Sequence, residues 1–220
     1  HIRPAYRRDG ALMAAPRVSV IIPTHNRANL LPTALHSALA QTVGDIEVIV
    51  VDDGSSDNTQ QVLAGFKDPR VRCLRNSPGK GAAGARNTGI AAATGEYIAF
   101  LDDDDQWFVE KLARQLAALE AAPAGTGLCL TGYLCYNGPH LTEYIGGKKW
   151  FDLLDFRRGV DAQYRLIVTT GWLVKRELLT QAGLFDASIP VWEDWEMALR
   201  LNRICAFTHV DEPLFLFNRL

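Results

Sequence analysis

Three short runs of aliphatic and β-branched residues, each stopped by a polar cluster, constrain this chain more than any other feature. Residues 17–22 (RVSVII) end at Pro23-Thr24-His25-Asn26-Arg27. Residues 46–51 (IEVIVV) end at Asp52-Asp53-Gly54-Ser55, and residues 96–101 (EYIAFL) end at Asp102-Asp103-Asp104-Asp105. Runs without polar alternation read as strands buried on both faces of a sheet. Between them the apolar spacing turns helical, first through Leu30, Leu31, Ala34, Leu35, Ala38 and Leu39, then through Val62, Leu63 and Phe66, and then along the Gly/Ala-rich stretch 79–93. Asn29 is the expected cap of the first helix, with Pro32 in its first turn, and Ser55 or Ser56 the expected cap of the second. With residues 71–74 as a further strand, strand and helix alternate as in βαβ units, which build a parallel sheet with helices on both faces. Ligands of such sheets sit beyond the carboxyl ends of the strands, where all three polar clusters fall.

The second half is less regular. Phe108, Leu112, Leu116 and Leu119 mark a long amphipathic helix closing near Pro123, and residues 127–136 read as a strand. Residues 138–147 are turn-rich. The amphipathic piece 148–158 (KKWFDLLDFRR) reads as a packed lid with solvated ends in preference to a membrane-surface segment. Short strands are expected around Thr169-Thr170-Gly171, a helix over 192–204, and a closing segment over 208–217. Residues 1–16 carry Arg3, Arg7 and Arg8 without an apolar stretch, so they read as a loose arm or a remnant of expression and not as a signal peptide. Residues 17–220 are expected to form one domain, with a nucleotide-sugar half (17–121) and a smaller, mixed acceptor half (122–220).

Composition narrows the function. A formal net charge of −2 argues against a nucleic-acid surface. No apolar run approaches the roughly 18 residues of a membrane span. Cys73, Cys129, Cys135 and Cys205 are scattered without a CxxC pair, which points to buried thiols in a reducing compartment and to the cytoplasm.

Chemistry concentrates at the strand ends. Four consecutive carboxylates, Asp102–Asp105, repel one another unless a cation offsets them. Mn²⁺ or Mg²⁺ suits such hard oxygens, with phosphate and water completing the shell; a solvated turn before Trp107 is the plainer alternative. Asp52-Asp53 repeats the pattern one strand earlier, where one aspartate can serve the turn and the other a base or ribose. The run Gly79-Lys80-Gly81-Ala82-Ala83-Gly84 matches GxGxxG, yet it stands at the third strand–helix junction and reads as a loop that lets backbone approach a ligand. Arg86 is within reach of phosphate, or is simply a surface charge. Asp194 shares a helix face with Ala198, Leu201 and Cys205, and an acid leaning inward is either paired or functional. The helix dipole accounts for Glu193 and Glu196 more simply. His25 can stack on a base or pack.

In order, five segments resemble the family 2 glycosyltransferases of GT-A fold: residues 18–27 (VSVIIPTHNR), 50–57 (VVDDGSSD), 84–90 (GARNTGI), 95–105 (GEYIAFLDDDD) and 192–195 (WEDW). The resemblance is close over residues 17–121 and resumes around 171–201. It implies a Rossmann-like, mostly parallel α/β sheet and inverting, metal-dependent transfer of a sugar from a nucleoside-diphosphate donor, most often a UDP-sugar. The acceptor would be a glycan, a lipid-linked sugar or a small molecule, with peripheral membrane contact compatible. Pro23, Thr24 and His25 would line the nucleobase pocket and Arg27 would join the donor contacts. Asp53 would accept from the base, and Arg86 would lie near the phosphates. Asp102 and Asp103 would face ribose and sugar, Asp104 would ligate Mn²⁺ or Mg²⁺, and Asp194 would be the catalytic base. For the acceptor side, Thr170, Gly171, Trp172 and Glu193 are the expected wall. Val109 departs from the proline that the family often carries there. Asn218-Arg219-Leu220 matches the start of a tail that in many relatives continues to a further histidine, which implies a truncated chain.

Overall fold

The computed structural model describes residues 15–136 and 168–218, together with the strand segments 7–8, 11–12 and 141–145. The amphipathic 148–158 piece lies outside the described residues. Within the arm, Arg7–Arg8 (β1) pairs antiparallel with Ala11–Leu12 (β2).

The expected alternation follows: β3 Val18–Thr24, α1 Leu31–Leu39, β4 Ile46–Asp52, α2 Thr59–Gly65, β5 Val71–Arg75, α3 Gly81–Ala92 and β6 Tyr97–Phe100. Every residue of β3 and β4 is buried, and the two polar residues inside the runs are paired, with Ser19 Oγ donating to Glu47 Oε1 at 2.7 Å. β3 runs parallel to both β4 and β6, and β4 parallel to β5. The chain therefore steps outward from β3 through β4 to β5, then returns to lay β6 on the opposite side of β3. That reversal opens a crevice at the carboxyl ends of β3 and β6.

The second half continues the same sheet with β7 Gln106–Trp107, α4 Lys111–Ala121, β8 Thr126–Tyr136, β9 Leu141–Ile145, a 3₁₀ turn Thr169–Gly171, β10 Leu173–Lys175, α5 Arg176–Gln181, α6 Glu193–Asn202 and β11 Ala206–Asn218. Among the described residues this sheet has nine strands, in the order β5-β4-β3-β6-β10-β8-β11-β7, with β9 paired to β8. β10 is antiparallel to β6 and β8, whereas the long β8 and β11 run parallel. A parallel half thus joins a mixed half, as the resemblance implies.

Strand alternation sorts the core into two layers. Val18, Val20 and Ile22 pack with α1 and α4 on one face. Ile21, Ile49 and Val51 pack with α3, α5 and α6 on the other. Gly89 lets α3 sit close: a Cβ there would fall 2.5 Å from Ile21 Cγ2.

Helix starts differ from expectation for identifiable reasons. Leu30, not Asn29, occupies the N-cap position of α1, and no side chain caps it. α2 begins after Asn58; Asp57 Oδ1 accepts from Thr59 N and Oγ1, while the Ser55 N–H is spent on Asp52 Oδ1. α4 begins at Lys111 because the Phe108 backbone is held by Leu214 O and by the Gln41 amide.

Candidate active site

The first two polar loops are clamped together. Asn26 adopts φ 54°, a left-handed conformation that asparagine tolerates. Its Oδ1 accepts from Ser56 N at 2.7 Å, and its N–H donates to Ser55 Oγ at 2.9 Å. His25 Nδ1 donates to the Asp53 carbonyl at 2.9 Å, while Nε2 accepts from Asn26 Nδ2 at 3.0 Å. Both ring nitrogens are engaged, so the exposed imidazole is fixed at the edge of the cleft.

The two aspartates of the second loop divide their work. Asp52 is fully buried and serves the turn, with burial opposed by the Ser55 and Gln60 hydrogen bonds that hold its carboxyl below the ordinary value. Asp53 reaches across to α3. Its oxygens accept from Asn76 Nδ2 at 2.7 Å, Lys80 N at 2.9 Å and Gly81 N at 2.8 Å, which satisfies the first free donors of that helix. The GxGxxG-like run is shaped by this contact: a Cβ on Gly79 would meet Asp53 O at 2.7 Å, and Gly81 has φ +73°.

Asp102–Asp105 then split into different roles. Arg86, 5% exposed, donates to Asp102 Oδ1 and to Glu193 Oε1, both at 2.7 Å, and lies over the Phe185 ring. Its guanidinium is thereby built into the floor. Arg27 donates through Nη1 to Asp103 Oδ1 at 2.8 Å and Asp104 Oδ2 at 2.6 Å. Asp105, 1% exposed, accepts from Thr170 Oγ1 at 2.7 Å and Asn218 N at 3.0 Å. Burial raises the pKa of Asp103, Asp104 and Asp105, and the neighbouring carboxylates push in the same direction. Positive charge at this place is therefore favourable.

A metal ion fits these donors in one specific way. Among the described residues, no three acidic, histidine or cysteine side chains converge as a preformed cage. Hard carboxylate oxygens do face the cleft, and Asp103 Oδ2 is buried without a hydrogen bond of good geometry. That suits an ion taking one or two carboxylates and completing its shell with phosphate oxygens and water.

Beside the acidic loop, to which Arg86 ties it through Glu193, α6 starts at Trp192 (φ 72°) and carries Asp194. Burial raises the Asp194 carboxyl to about 6, with the Glu193 charge adding to the rise and the Trp195 N–H opposing it. A carboxyl poised there is deprotonated at neutral pH yet basic enough to take a proton.

These groups meet in one cleft of about 780 Å³. Pro23, Thr24, His25, Arg27, Asp53, Arg86, Asp102, Asp103, Asp104, Glu193 and Asp194 all line it. Three expected acceptor residues do not. Thr170 and Gly171 are buried beneath the acidic loop, and Trp172, 0% exposed, packs on Phe100 and Phe185 in the core. Hydrogen bonds hold the first two inward, Thr170 Oγ1 to Asp105 and Gly171 O from Gln115 Nε2, and Val168, Phe217 and Asn218 line the cleft instead.

The sequence model of glycosyl transferase family 2 matches residues 19–179. The chain belongs to this family. An Escherichia coli member, UDP-Glc:alpha-D-GlcNAc-diphosphoundecaprenol beta-1,3-glucosyltransferase WfaP, is 44% identical over 103 residues, covering 47% of this chain and 41% of its own length. The chain thus spans about two-fifths of that relative. Among solved structures, Staphylococcus aureus TarS 1–349 in complex with UDP-GlcNAc superposes with a TM-score of 0.76 at 19% identity, over 93% of this chain and 59% of that one. The mannosyltransferase PcManGT from Pyrobaculum calidifontis, in complex with GDP-Man and Mn²⁺, gives 0.68 at 23% identity, over 97% and 57%. At these identities the structures establish the shared fold.

Proposed function

We propose that residues 17–220 act as one glycosyltransferase domain that moves a sugar from a UDP-sugar to an acceptor hydroxyl with inversion at the anomeric carbon. The acceptor class is a lipid-linked sugar or a growing glycan. One observation carries this reading: a single cleft at the carboxyl ends of β3, β4 and β6 gathers an aromatic edge, a row of carboxylates and a further carboxyl whose pKa is raised to about 6. The relatives support the substrate classes, since WfaP is named for a UDP-sugar donor and a lipid-diphosphate acceptor, and TarS was solved with UDP-GlcNAc. A lipid-linked acceptor would bring the enzyme to a membrane face; among the described residues, no helix is long and apolar enough to cross one.

In this scheme Pro23, Thr24 and the fixed His25 ring hold the uracil end, with Asp53 as polar partner. Asp102 and Asp103 face ribose and sugar. Asp104 holds Mn²⁺ or Mg²⁺. When bound, the ion supplies positive charge against the diphosphate that departs. Asp194 takes the proton from the acceptor hydroxyl as that oxygen forms its bond to the anomeric carbon. The bond from that carbon to the diphosphate oxygen breaks, and its electron pair leaves with UDP. Attack from the face opposite the leaving group inverts the centre.

The test is a donor panel of UDP-glucose, UDP-GlcNAc and GDP-mannose, with and without Mn²⁺, offered with a lipid-diphosphate-linked GlcNAc and the product anomer read by NMR. Transfer from a UDP-sugar giving the inverted anomer is expected. A retained configuration, or transfer only from GDP-mannose, overturns the corresponding part of the reading.

A further inference from the structure

The two arginines of the cleft are set in opposite ways. Arg86 is buried and holds one carboxylate with each of its two amino groups. Withdrawing it would strand Asp102 and Glu193 without their shared cation. Arg27 comes from an exposed loop, its side chain is 44% exposed, and both its contacts run through the one Nη1. Its partners are much less exposed, Asp103 at 5% and Asp104 at 19%. An exposed cation therefore covers two partly desolvated anions.

Asp104 Oδ2 is committed to that guanidinium at 2.6 Å. A divalent cation on the same carboxylate would meet the positive charge of Arg27 at close range, so each weakens the other's hold on it. A diphosphate changes the balance, because its paired oxygens match the planar fork of a guanidinium. Resting on the proposal that Asp104 holds the ion, we infer that Arg27 is the displaceable counterion of the cleft. With no donor present it neutralises Asp103 and Asp104. On loading it gives Asp104 up to the divalent cation and turns to the diphosphate. Metal and nucleotide then bind with positive coupling, since each makes the other's site favourable, and that coupling is reciprocal. The same contrast assigns the displaceable phosphate contact to Arg27 and a fixed, floor-building role to Arg86.

The experiment titrates Mn²⁺ into the protein with and without UDP, reading free Mn²⁺ by electron paramagnetic resonance. Wild type is compared with Arg27→Gln, Arg27→Lys and Asp104→Asn. Arg27→Gln is expected to bind Mn²⁺ alone several-fold more tightly than wild type. Its UDP-induced tightening should fall below the wild-type value, which is expected at roughly 5-fold or more. Arg27→Lys, which keeps a cation without the fork, should bind Mn²⁺ alone like wild type and still lose coupling. Equal or weaker Mn²⁺ binding by Arg27→Gln would overturn the displacement, and unchanged coupling in both Arg27 variants would overturn the diphosphate contact. Undiminished Mn²⁺ binding by Asp104→Asn would instead remove the metal assignment itself, an outcome separable from the other two.

Discussion

Replacing Asp194 by asparagine separates two consequences of one buried carboxyl. Its pKa lies at about 6 against an ordinary 3.8, chiefly through burial. At about 1.36 kcal/mol per pH unit, that rise corresponds to an upper bound of about 3 kcal/mol, reduced by whatever contact the carboxyl keeps with solvent. The sign follows from proton binding. Between about pH 4 and 6 the folded chain holds a proton that the unfolded chain has released, so stability falls as pH rises through this window. Asparagine cannot ionise and escapes that loss. Asp194→Asn should therefore match wild type near pH 4 and exceed it by about 1–3 kcal/mol at pH 7.5. At about 2–4 °C per kcal/mol for a chain this size, the melting temperature should rise by several degrees. Turnover should fall by about 10²–10⁴-fold with UDP affinity retained, and the wild-type rise of kcat through about pH 6 should disappear. Thermal melts at both pH values, UDP-release kinetics and UDP titration measure all three. A variant less stable than wild type at pH 7.5, or one that loses UDP affinity along with rate, would refute the assignment of Asp194 as a desolvated base.

Three further outcomes follow from packing and pairing. Gly89→Ala places a methyl 2.5 Å from Ile21 Cγ2 in the buried face of β3 and should cost about 1–3 kcal/mol in urea unfolding. Arg86→Gln leaves Asp102 and Glu193 facing each other without their shared cation, and a loss of about 3–5 kcal/mol is expected by the same measurement. Thr170→Val removes the hydroxyl that donates to buried Asp105 and accepts from Asp102 N, and should cost about 1–3 kcal/mol by the same measurement.

What was readable in the sequence was whatever repeats locally. Strands β3, β4 and β6 announced themselves because burial on both faces forbids polar alternation, and the acids after them fell at the rim because βαβ winding puts every such turn on one side. What could not be read depends on partners far along the chain. Asp53 anchors the start of α3 through backbone donors 27 and 28 residues away, a contact no local spacing encodes. Asp105 looked like one more member of an acidic run, yet it ties Thr170 and Asn218 to the loop across 65 and 113 residues. Thr170, Gly171 and Trp172 were expected on the acceptor wall; the packing of Trp172 against Phe100 and Phe185 and the hydrogen bond from Thr170 to Asp105 turn that segment inward. Phe217 and Asn218 reach the cleft through the long parallel pairing of β11 with β8 and the hydrogen bond of Asn218 to Asp105. Strands so far apart in sequence leave no short-range trace of that pairing.

Determining the structure of the chain with UDP and Mn²⁺ bound tests the central claim most directly. The account predicts uracil between Pro23 and His25, the ion on Asp104, and the diphosphate between that ion and the Arg27 guanidinium, with Asp194 lining the same cleft. Nucleotide bound away from the carboxyl ends of β3 and β6, or an ion held by residues other than the Asp102–Asp104 run, would contradict it.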